Sequence, residues 1–359
     1  MKSFLLLVLA CILTSCQSEK EVKFRKMILG EWNYAINPNY PQDKSDLPNS
    51  FNFINDSICE NKAGFIERKA YEVTRFENKT KYTIDDDSLK IYNPITKKWI
   101  TYQIVSITND SLILKNKHSV SNYYKTNYNL DKNESYDAIV LVYSTSPASR
   151  NPHMDSYLVY NNGVVYYSHY DFREDNYSFY KTQIEIEEYN DLEQNFKKSS
   201  INKLNEKYID GVHDGDSYSL GFIKNNQVYK TIYIYGESPS HELNWAYTPL
   251  KYWNLTLKMT PEETKIPMDL FFDIRTQTTY CKLSMAEQFY LKCLLQQSSS
   301  VTQDSKDEYF LTTHKPIKTD GRYYKIDDQN YDIGFNFITN YQLEKRFKPI
   351  KKAPEEALY

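Results

Sequence analysis

The stretch ILGEWNY at residues 28–34 opens the part of the chain whose pattern is clearest. Similar short runs, rich in aromatic and β-branched residues, recur from residue 24 to about residue 128. Such residues favour strands, and strands at roughly 8–12-residue spacing indicate an antiparallel sandwich or barrel. We therefore predict a mainly β domain over residues 24–128. The strands predicted after the first one are 51–54, 63–76, 81–84, 88–92, 99–107, 111–114 and 123–128.

Hairpin turns are marked by acidic and amide residues. Residues 85–87 are three consecutive aspartates, and Asn109 and Asp110 stand between two predicted strands. Asn and Asp tolerate a left-handed backbone and hydrogen-bond to their own chain, which suits tight hairpins. Neighbouring strands are therefore expected to be antiparallel.

Gly30 and Trp32 resemble the first-strand signature of lipocalin-like barrels. Segment 110–125, which ends in Tyr123-Tyr124-Lys125, resembles the last hairpin of small lipocalin-like domains in bacterial lipoproteins. The resemblance implies an antiparallel β-barrel in which Gly30 and Trp32 are structural and Trp32 plugs the closed end. An eight-stranded barrel either fills its interior with side chains or holds one small ligand. The sequence leaves both possibilities open.

The residues before this domain have the pattern of a secretory signal peptide. Met1-Lys2-Ser3 carries one positive side chain, and residues 4–13 are an unbroken apolar run. About ten residues are too few to span a bilayer as a helix, which takes roughly 18–20, but suit the apolar core of a signal peptide.

The four residues Leu13-Thr14-Ser15-Cys16 resemble the bacterial lipobox. The resemblance implies that residues 1–15 are removed and that Cys16 carries the lipid, a diacylglycerol on its thiol and an acyl chain such as palmitate on the new N-terminus. One acyl chain binds a membrane reversibly, whereas two or three hold a protein stably. The expected location is the outer membrane, with Cys16 as the attachment point.

Residues 16–23 are expected to form a lipidated, solvated tether. Tethers of Bacteroidota-type lipoproteins often carry acidic residues after the cysteine when the protein is exported to the cell surface. Glu19 and Glu21 fit that pattern, so the resemblance favours the cell surface over the periplasmic face.

Composition excludes some partners. The chain has 359 residues and a formal net charge of −3, so it lacks the basic balance of a nucleic-acid-binding protein. Its 34 Tyr outnumber its 17 Phe. Tyr suits a sheet with one face packed on the core and the other exposed to solvent, and it is also enriched at protein interfaces. The tyrosines therefore indicate antiparallel sheet, or an aromatic face for a protein or glycan partner.

The second half of the chain has mixed periodicity. Residues 129–136 are polar and are predicted to be a linker to an α+β domain at 137–260. Asn162-Gly163 predicts a hairpin turn between strands, and Asn225-Asn226 predicts another. Helical spacing over 185–208 and an N-cap at Ser240 predict two helices.

This order of elements resembles an uncharacterised domain family of Bacteroidota lipoproteins over roughly 137–257. The family pattern has a cysteine-bearing loop before its tyrosine, and residues 144–156 contain no cysteine. The resemblance therefore implies a shape and no chemistry.

A further α+β unit is predicted at 261–344, packed on the second domain. Ser284 and Glu287 have the spacing of a capping box that opens a helix. The tail, residues 345–359, mixes Lys, Pro and Glu and is expected to be disordered.

The cysteines outside the signal segment give no cofactor site. They are Cys59, Cys281 and Cys293. Three cannot all pair, and none belongs to a Cys-x-x-Cys motif, which disfavours zinc. Whether Cys281 and Cys293 form a disulfide is left open, and no metal or cofactor is expected.

Two groups of polar residues were weighed as sites. His213, Asp214 and Asp216 surround Gly215 in a loop, and the two carboxylates have the chemistry to ligate calcium, but the full EF-hand pattern is missing. An Asp-Gly turn explains the same residues. His153 with Asp155, and His169 with Asp171, bring an imidazole and a carboxylate close in sequence.

Familiar catalytic motifs are absent from the sequence. It has no Gly-x-Ser-x-Gly nucleophile elbow, no His-Glu-x-x-His and no phosphate-binding glycine loop. Each histidine is therefore interpreted as a surface or hairpin-end residue, and no catalytic residue is assigned.

Three functions fit these observations. The preferred hypothesis is a cell-envelope binding module for a partner protein, a glycan or a small apolar ligand, without enzymatic activity. The alternative is an envelope hydrolase that uses Asp214 and Asp216, or His153 with Asp155. The third is an envelope spacer or immunity-type protector, which the sequence does not distinguish from the first.

Overall fold

A computed structural model describes residues 18–35, 50–69, 72–117, 119–130, 134–209, 214–236, 240–264, 271–313 and 316–350. The predicted signal peptide, the lipobox with Cys16, and His213 lie outside these residues. The chain divides into two compact units, Met1–Asn129 and Leu130–Tyr359. Each unit is described by itself.

The first unit is a closed antiparallel barrel of eight strands, in the order β1-β10-β9-β8-β7-β6-β3-β2. The mainly β fold class predicted from the sequence is therefore confirmed. Strands β4 and β5 form a separate two-stranded hairpin. The elements are α1 (Glu19–Ile28), β1 (Gly30–Tyr34), β2 (Phe51–Phe53), β3 (Ile58–Asn61), β4 (Phe65–Lys69), β5 (Glu72–Phe76), β6 (Lys79–Asp85), β7 (Ser88–Asn93), β8 (Lys98–Ile107), β9 (Ser111–Lys115) and β10 (Val120–Thr126).

Trp32 is fully buried at the end of the barrel next to α1. Its indole Nε1 donates a hydrogen bond of 2.5 Å to the carbonyl of Ile28, the last residue of that helix. The ammonium of Lys125 lies 5.1 Å from the centroid of the indole ring. Trp32 therefore joins the helix to the first and last strands of the barrel.

The predicted tether at 16–23 is wrong from residue 19 onward, where α1 begins. Ser18 caps the helix by accepting a hydrogen bond from the Glu21 amide, and Phe24 and Ile28 on its inner face are buried. Burial of an apolar face stabilises a short helix that would be marginal alone. The sequence pattern missed it because the helix begins with three charged residues, Glu19, Lys20 and Glu21.

The strand predicted at 63–76 is also wrong, since that segment holds the β4–β5 hairpin. The barrel position expected for it is taken by β3, which pairs with β2 and β6. β3 escaped prediction because its inward residues are Cys59 and Asn61 rather than β-branched or aromatic residues.

The described residues of the second unit form two eight-stranded, mostly antiparallel sheets and four α-helices. The first sheet has the order β15-β17-β16-β11-β12-β13-β14-β18 and the second the order β21-β25-β24-β23-β22-β19-β20-β26. The elements are β11 (Ala138–Ser144), β12 (His153–Tyr160), β13 (Val164–Asp171), β14 (Asn176–Gln183), α2 (Ile186–Lys198), β15 (Lys207–Ile209), β16 (Ser217–Lys224), β17 (Gln227–Tyr235), α3 (His241–Lys251), β18 (Thr260–Pro261), β19 (Asp273–Arg275), β20 (Thr279–Lys282), α4 (Met285–Gln297), β21 (Ser299–Val301), β22 (Tyr309–Leu311), β23 (Ile317–Thr319), β24 (Tyr323–Ile326), β25 (Gln329–Asp332), α5 (Phe337–Asn340) and β26 (Lys348–Pro349).

Both faces of the first sheet are covered. On one face, Ile139, Leu141 and Tyr143 of β11 join a core with buried residues of α2 and α3. On the other, Val140 and Val142 join a core with α4 and the second sheet. This two-sided burial explains why β11 is almost continuously apolar, as expected for a central strand covered on both faces.

Helix α4 begins at the predicted capping box. Ser284 accepts from the Glu287 amide and the Glu287 carboxylate accepts from the Ser284 amide. The helix crosses the sheet at Gly221, where an added Cβ would lie 3.1 Å from Cβ of Ala286. A glycine therefore permits the close approach of helix and strand.

Two boundaries in the second unit differ from the prediction. The helix expected over 185–208 ends at Lys198, because Ser200 adopts φ of +51° and Lys207–Ile209 pairs with β17 as a strand. Within the tail expected to be disordered at 345–359, Lys348–Pro349 forms β26, which pairs with β20, and residues 351–359 lie outside the described residues. Arg346 fixes this strand by binding the buried carboxylate of Glu287.

The described cysteines are unpaired. Cys59, Cys281 and Cys293 are free thiols buried in the two units. Burial raises the pKa of all three, that of Cys59 to about 12, so they behave as apolar core residues. Within the described ranges, no helix has the length and apolar character needed to cross a membrane.

Candidate functional site

A row of polar and aromatic residues crosses five strands of the first sheet of the second unit. The strand register places them side by side, and directly opposite residues point to the same face. That face is the one covered by α2 and α3. In order across the sheet the row is Tyr218, Tyr143, Asp155, His169 and Ser178.

Asp155 is the centre of the row and is only 2% exposed. Its Oδ1 accepts a hydrogen bond of 2.9 Å from the Tyr167 hydroxyl and one of 2.7 Å from Nδ1 of His169. Its Oδ2 lies 3.5 Å from Nε2 of His153. Burial alone would raise its pKa, but the hydrogen bonds from the two histidines outweigh burial and hold the pKa below its usual range. Asp155 is therefore a buried carboxylate kept ionised by its donors.

The surroundings of His153 favour its protonated form. Its Nδ1 lies 2.9 Å from the Asn151 carbonyl, which can only accept a hydrogen bond, and its Nε2 faces the Asp155 carboxylate. Only the imidazolium has a proton for both acceptors. Burial opposes this charge, but the interaction with Asp155 prevails and raises the pKa of His153.

His169 has a different arrangement. Its Nδ1 donates to Asp155, so its Nε2 is the basic nitrogen when the ring is neutral. Its side chain is 36% exposed. A carboxylate that orients an imidazole in this way is the arrangement used for a general base.

A second centre lies beside the first, on the Tyr143 side. Asp216 accepts from the Tyr143 hydroxyl at 2.9 Å, from the Lys251 ammonium at 3.2 Å and from the Ser146 amide at 3.1 Å. Lys251 is the last residue of α3, where the helix dipole favours a cation. Its Nζ lies 4.0 Å from the centroid of the Tyr143 ring, so the ring bridges Asp216 and the neighbourhood of His153.

The structure brings together only some of the residues weighed from the sequence. His153, Asp155 and His169 meet, and Asp216 lies at the neighbouring centre. Asp214 is exposed in the loop before β16, at φ of +64°, as expected for a residue of an Asp-Gly turn. Both histidines are partly exposed, as expected for surface or hairpin-end residues, and both also contact the buried Asp155.

Some site residues were missed at the sequence level. Tyr143, Tyr167, Lys251 and Ser178 carry no motif. A signal for part of the site did exist, since the hairpin predicted at Asn162-Gly163 fixes the register of β12 and β13 and places Asp155 opposite His169. Lys251 lies at the end of α3, nearly a hundred residues after Asp155 in the sequence. A local sequence pattern does not show that two such distant residues are close together.

Nothing in the described part of the chain forms a metal centre of three or more His, Cys, Asp or Glu side chains. Near Asp155, three of the four histidine ring nitrogens already have partners, both of His153 and Nδ1 of His169.

The barrel carries a separate pocket at its mouth, the end opposite α1. Its volume is about 220 Å³. Phe51 and Ile91 belong to the barrel interior, while Phe65 and Ile66 come from the β4–β5 hairpin. The remaining lining residues are Asn61, Gly64, Tyr92, Asn93, Ile95, Ile100 and Tyr102. The wall is thus mainly apolar, with amides and tyrosines among the lining groups.

Comparison with known proteins gives one match. A domain of unknown function, DUF6438, matches residues 152–253, less than a third of the chain. The matched segment contains His153, Asp155, His169, Asp216 and Lys251. No curated protein and no solved structure matches the chain. An uncharacterised domain in the second half and an eight-stranded barrel in the first are thus present.

Proposed function

We propose that this protein is a cell-envelope lipoprotein, acylated at Cys16, whose lipocalin-like barrel binds a small apolar ligand. The observation that carries this proposal is the pocket at the barrel mouth. At the other end of the barrel, Trp32 and α1 pack into the core. The interior is thus filled near α1 and open at the mouth.

The lining chemistry supports an apolar ligand with one or two polar atoms. Six of the lining residues are Phe or Ile, so burial of an apolar group there gains roughly 25 cal/mol per Å² removed from water. The amides of Asn61 and Asn93 and the hydroxyls of Tyr92 and Tyr102 offer hydrogen bonds that could orient it. Pockets that combine an apolar wall with few polar groups are typical of small-molecule sites.

The size of the pocket limits what it holds. An apolar cavity of about 150 Å³ accepts benzene, and this one is about 220 Å³. It fits an aryl group or the end of an acyl chain, with the rest of a longer ligand in solvent. Binding of such a fragment is expected to be of micromolar strength, since association costs offset much of the gain from burial.

Ligand binding can be tested with N-phenyl-1-naphthylamine, a neutral probe that fluoresces in apolar surroundings. Ile95→Trp adds bulk to a residue that lines the pocket and is expected to weaken probe binding at least tenfold. Val105→Trp is the matched control, because Val105 is 52% exposed on β8 and is not part of the pocket wall. Equal probe affinity in the two variants would contradict the proposal.

Membrane attachment needs its own test. Cells that express the full chain are fed a labelled fatty acid, and the label on the protein is measured after membrane fractionation. Cys16→Ser is expected to remove the label and release the protein from membranes, whereas Cys11→Ser, in the apolar run, is expected to leave both unchanged. A Cys16→Ser protein that stays labelled and membrane-bound would rule out the anchor.

A further inference from the structure

Three residues of the row across the sheet have the chemistry of a nucleophile, a base and a carboxylate. Asp155, His169 and Ser178 lie on β12, β13 and β14, and each is the register partner of the next. Directly opposite residues on antiparallel strands have Cβ atoms about 4.5–5.5 Å apart. The Ser178 side chain is therefore the cross-strand neighbour of the His169 side chain, on the side away from Asp155.

The ring orientation of His169 is set by Asp155. Because Nδ1 is hydrogen-bonded to the carboxylate on β12, Nε2 is the ring nitrogen that remains to take a proton from a neighbouring hydroxyl. In the described residues no hydrogen bond joins Ser178 Oγ to His169 Nε2, so this contact has to form when substrate binds. Catalytic hydrogen bonds are often long before substrate binds.

Ser178 is reachable from the edge of the sheet. It is half-buried, and the short edge strand β18 pairs with β14 only at Tyr180 and Lys181. One further backbone hydrogen bond on that side joins the Glu262 amide to the Phe179 carbonyl. An acyl group can therefore approach Ser178 along the unpaired end of β14.

We propose that Ser178, His169 and Asp155 form a site for hydrolysis of carboxylic esters with a small acyl group. Ser178 Oγ attacks the acyl carbon while His169 Nε2 takes its proton, and the alkoxide leaves with that proton. Water then attacks the acyl-serine, again giving its proton to His169, and Ser178 Oγ leaves as the hydroxyl. The products are a carboxylic acid and an alcohol, and no oxidant or metal takes part.

The surroundings of Asp155 fit its role as a positioning residue. The proton taken by His169 must stay on the imidazole, so Asp155 must remain ionised. The Tyr167 hydroxyl and the His153 imidazolium both stabilise the ionised carboxylate. The half-buried position of Ser178 within a packed row limits the acyl group to a small one, such as acetyl.

The test uses the full chain and a fluorophosphonate, which reacts covalently with activated serines, followed by peptide mass spectrometry. The expected adduct is on Ser178, and Ser178→Ala abolishes it. Ser88→Ala is the matched control, because Ser88 is also a half-buried strand serine but has Asp85 and Gln103 as register partners. Mapping on the unmodified chain does not depend on any variant folding.

Variants of His169 and Asp155 test their proposed roles as the general base and the positioning residue. His169→Gln is expected to lower the labelling rate and 4-nitrophenyl acetate hydrolysis at least 100-fold, whereas His241→Gln on α3 leaves both unchanged. Asp155→Asn is expected to lower the labelling rate about 1,000-fold or more. No adduct, an adduct on another serine, or unchanged labelling in His169→Gln would overturn the proposal.

Discussion

The carboxylate of Asp155 lies 2.7 Å from Nδ1 of His169, on the neighbouring strand of a hairpin. The same oxygen accepts the Tyr167 hydroxyl, and the other oxygen faces His153. One buried charge is thus held by three side chains from two strands. This arrangement ties the stability of the second unit to pH.

The first prediction concerns that pH dependence. The pKa of His153 is raised in the fold. The stabilisation that His153 adds to the free energy of unfolding is therefore complete below its pKa in the unfolded chain, about 6.5, and is lost as pH rises through its pKa in the fold. The pKa of Asp155 is lowered, so its contribution is complete above about 3.9 and is lost as pH falls through the folded pKa. The pair therefore contributes most between about pH 4 and 6.5.

Thermal unfolding of the second unit between pH 5 and 9 checks this expectation. The melting temperature of the unmodified chain should fall as pH rises above 6.5, and in His153→Gln this fall should be smaller. His241→Gln is the control, because His241 stacks on Trp245 and belongs to a different surface of the unit. Parallel pH profiles for all three proteins would show that the His153–Asp155 contact does not act as described.

The second prediction concerns Trp32. Trp32→Ala should destabilise the barrel by about 3–5 kcal/mol, the usual range for removing a buried tryptophan. Trp99→Ala removes the same side chain from β8, where it is 47% exposed, and should cost below about 1 kcal/mol. Chemical denaturation of the two variants gives the comparison, and similar losses would mean that Trp32 does not anchor the barrel.

The third prediction concerns the C-terminal segment. Arg346 binds both oxygens of Glu287, a residue only 2% exposed, and donates to the Lys282 carbonyl. Arg346→Ala leaves a buried carboxylate without its cation, which should destabilise the second unit by about 2 kcal/mol after allowance for the partly exposed guanidinium. Arg346→Lys should restore little, because an ammonium does not reproduce the bidentate contact.

Arg322→Ala serves as its control. Arg322 also forms a bidentate pair, with Asp332, but on the exposed surface. Urea denaturation of the two variants gives the comparison. Arg322→Ala should lower the free energy of unfolding much less than Arg346→Ala. If Arg322→Ala destabilised the protein more than Arg346→Ala, the segment after residue 344 would not be fixed through Glu287.

The fourth prediction separates backbone strain from steric overlap at two glycines. Gly163 and Gly334 have φ of +82° and +86°, so an alanine at either position costs about 1 kcal/mol in the left-handed region. At Gly163 the added Cβ would lie 2.4 Å from the Ile184 carbonyl oxygen, whereas at Gly334 it meets nothing within 4 Å. Gly163→Ala should therefore lower the melting temperature clearly more than Gly334→Ala.

Local pattern predicted most of the turns and helix starts. The hairpins at Asp86, Asn162-Gly163 and Asn225-Asn226 are where expected, with positive φ at Asp86, Gly163 and both asparagines of the last turn. The N-cap at Ser240 and the capping box at Ser284 are confirmed. These features depend on a few adjacent residues, so the chain specifies them locally.

Features that depend on distant partners were predicted poorly. Strand β3 was missed because its inward residues are Cys59 and Asn61, and β26 was missed because its pairing partner lies nearly seventy residues away. The start of α1 was missed because the helix is stabilised by packing on the barrel rather than by its own pattern.

The sequence by itself determined the mainly β class, the hairpin turns and the caps, because these follow from side-chain periodicity and from short-range hydrogen bonds. Only the tertiary structure decided that Asp155, His169 and Ser178 stand in one row, and that Lys251 reaches Asp216 from the end of a helix. The reason is that strand register and helix docking are set by burial of two cores, and burial brings together residues that are far apart along the chain.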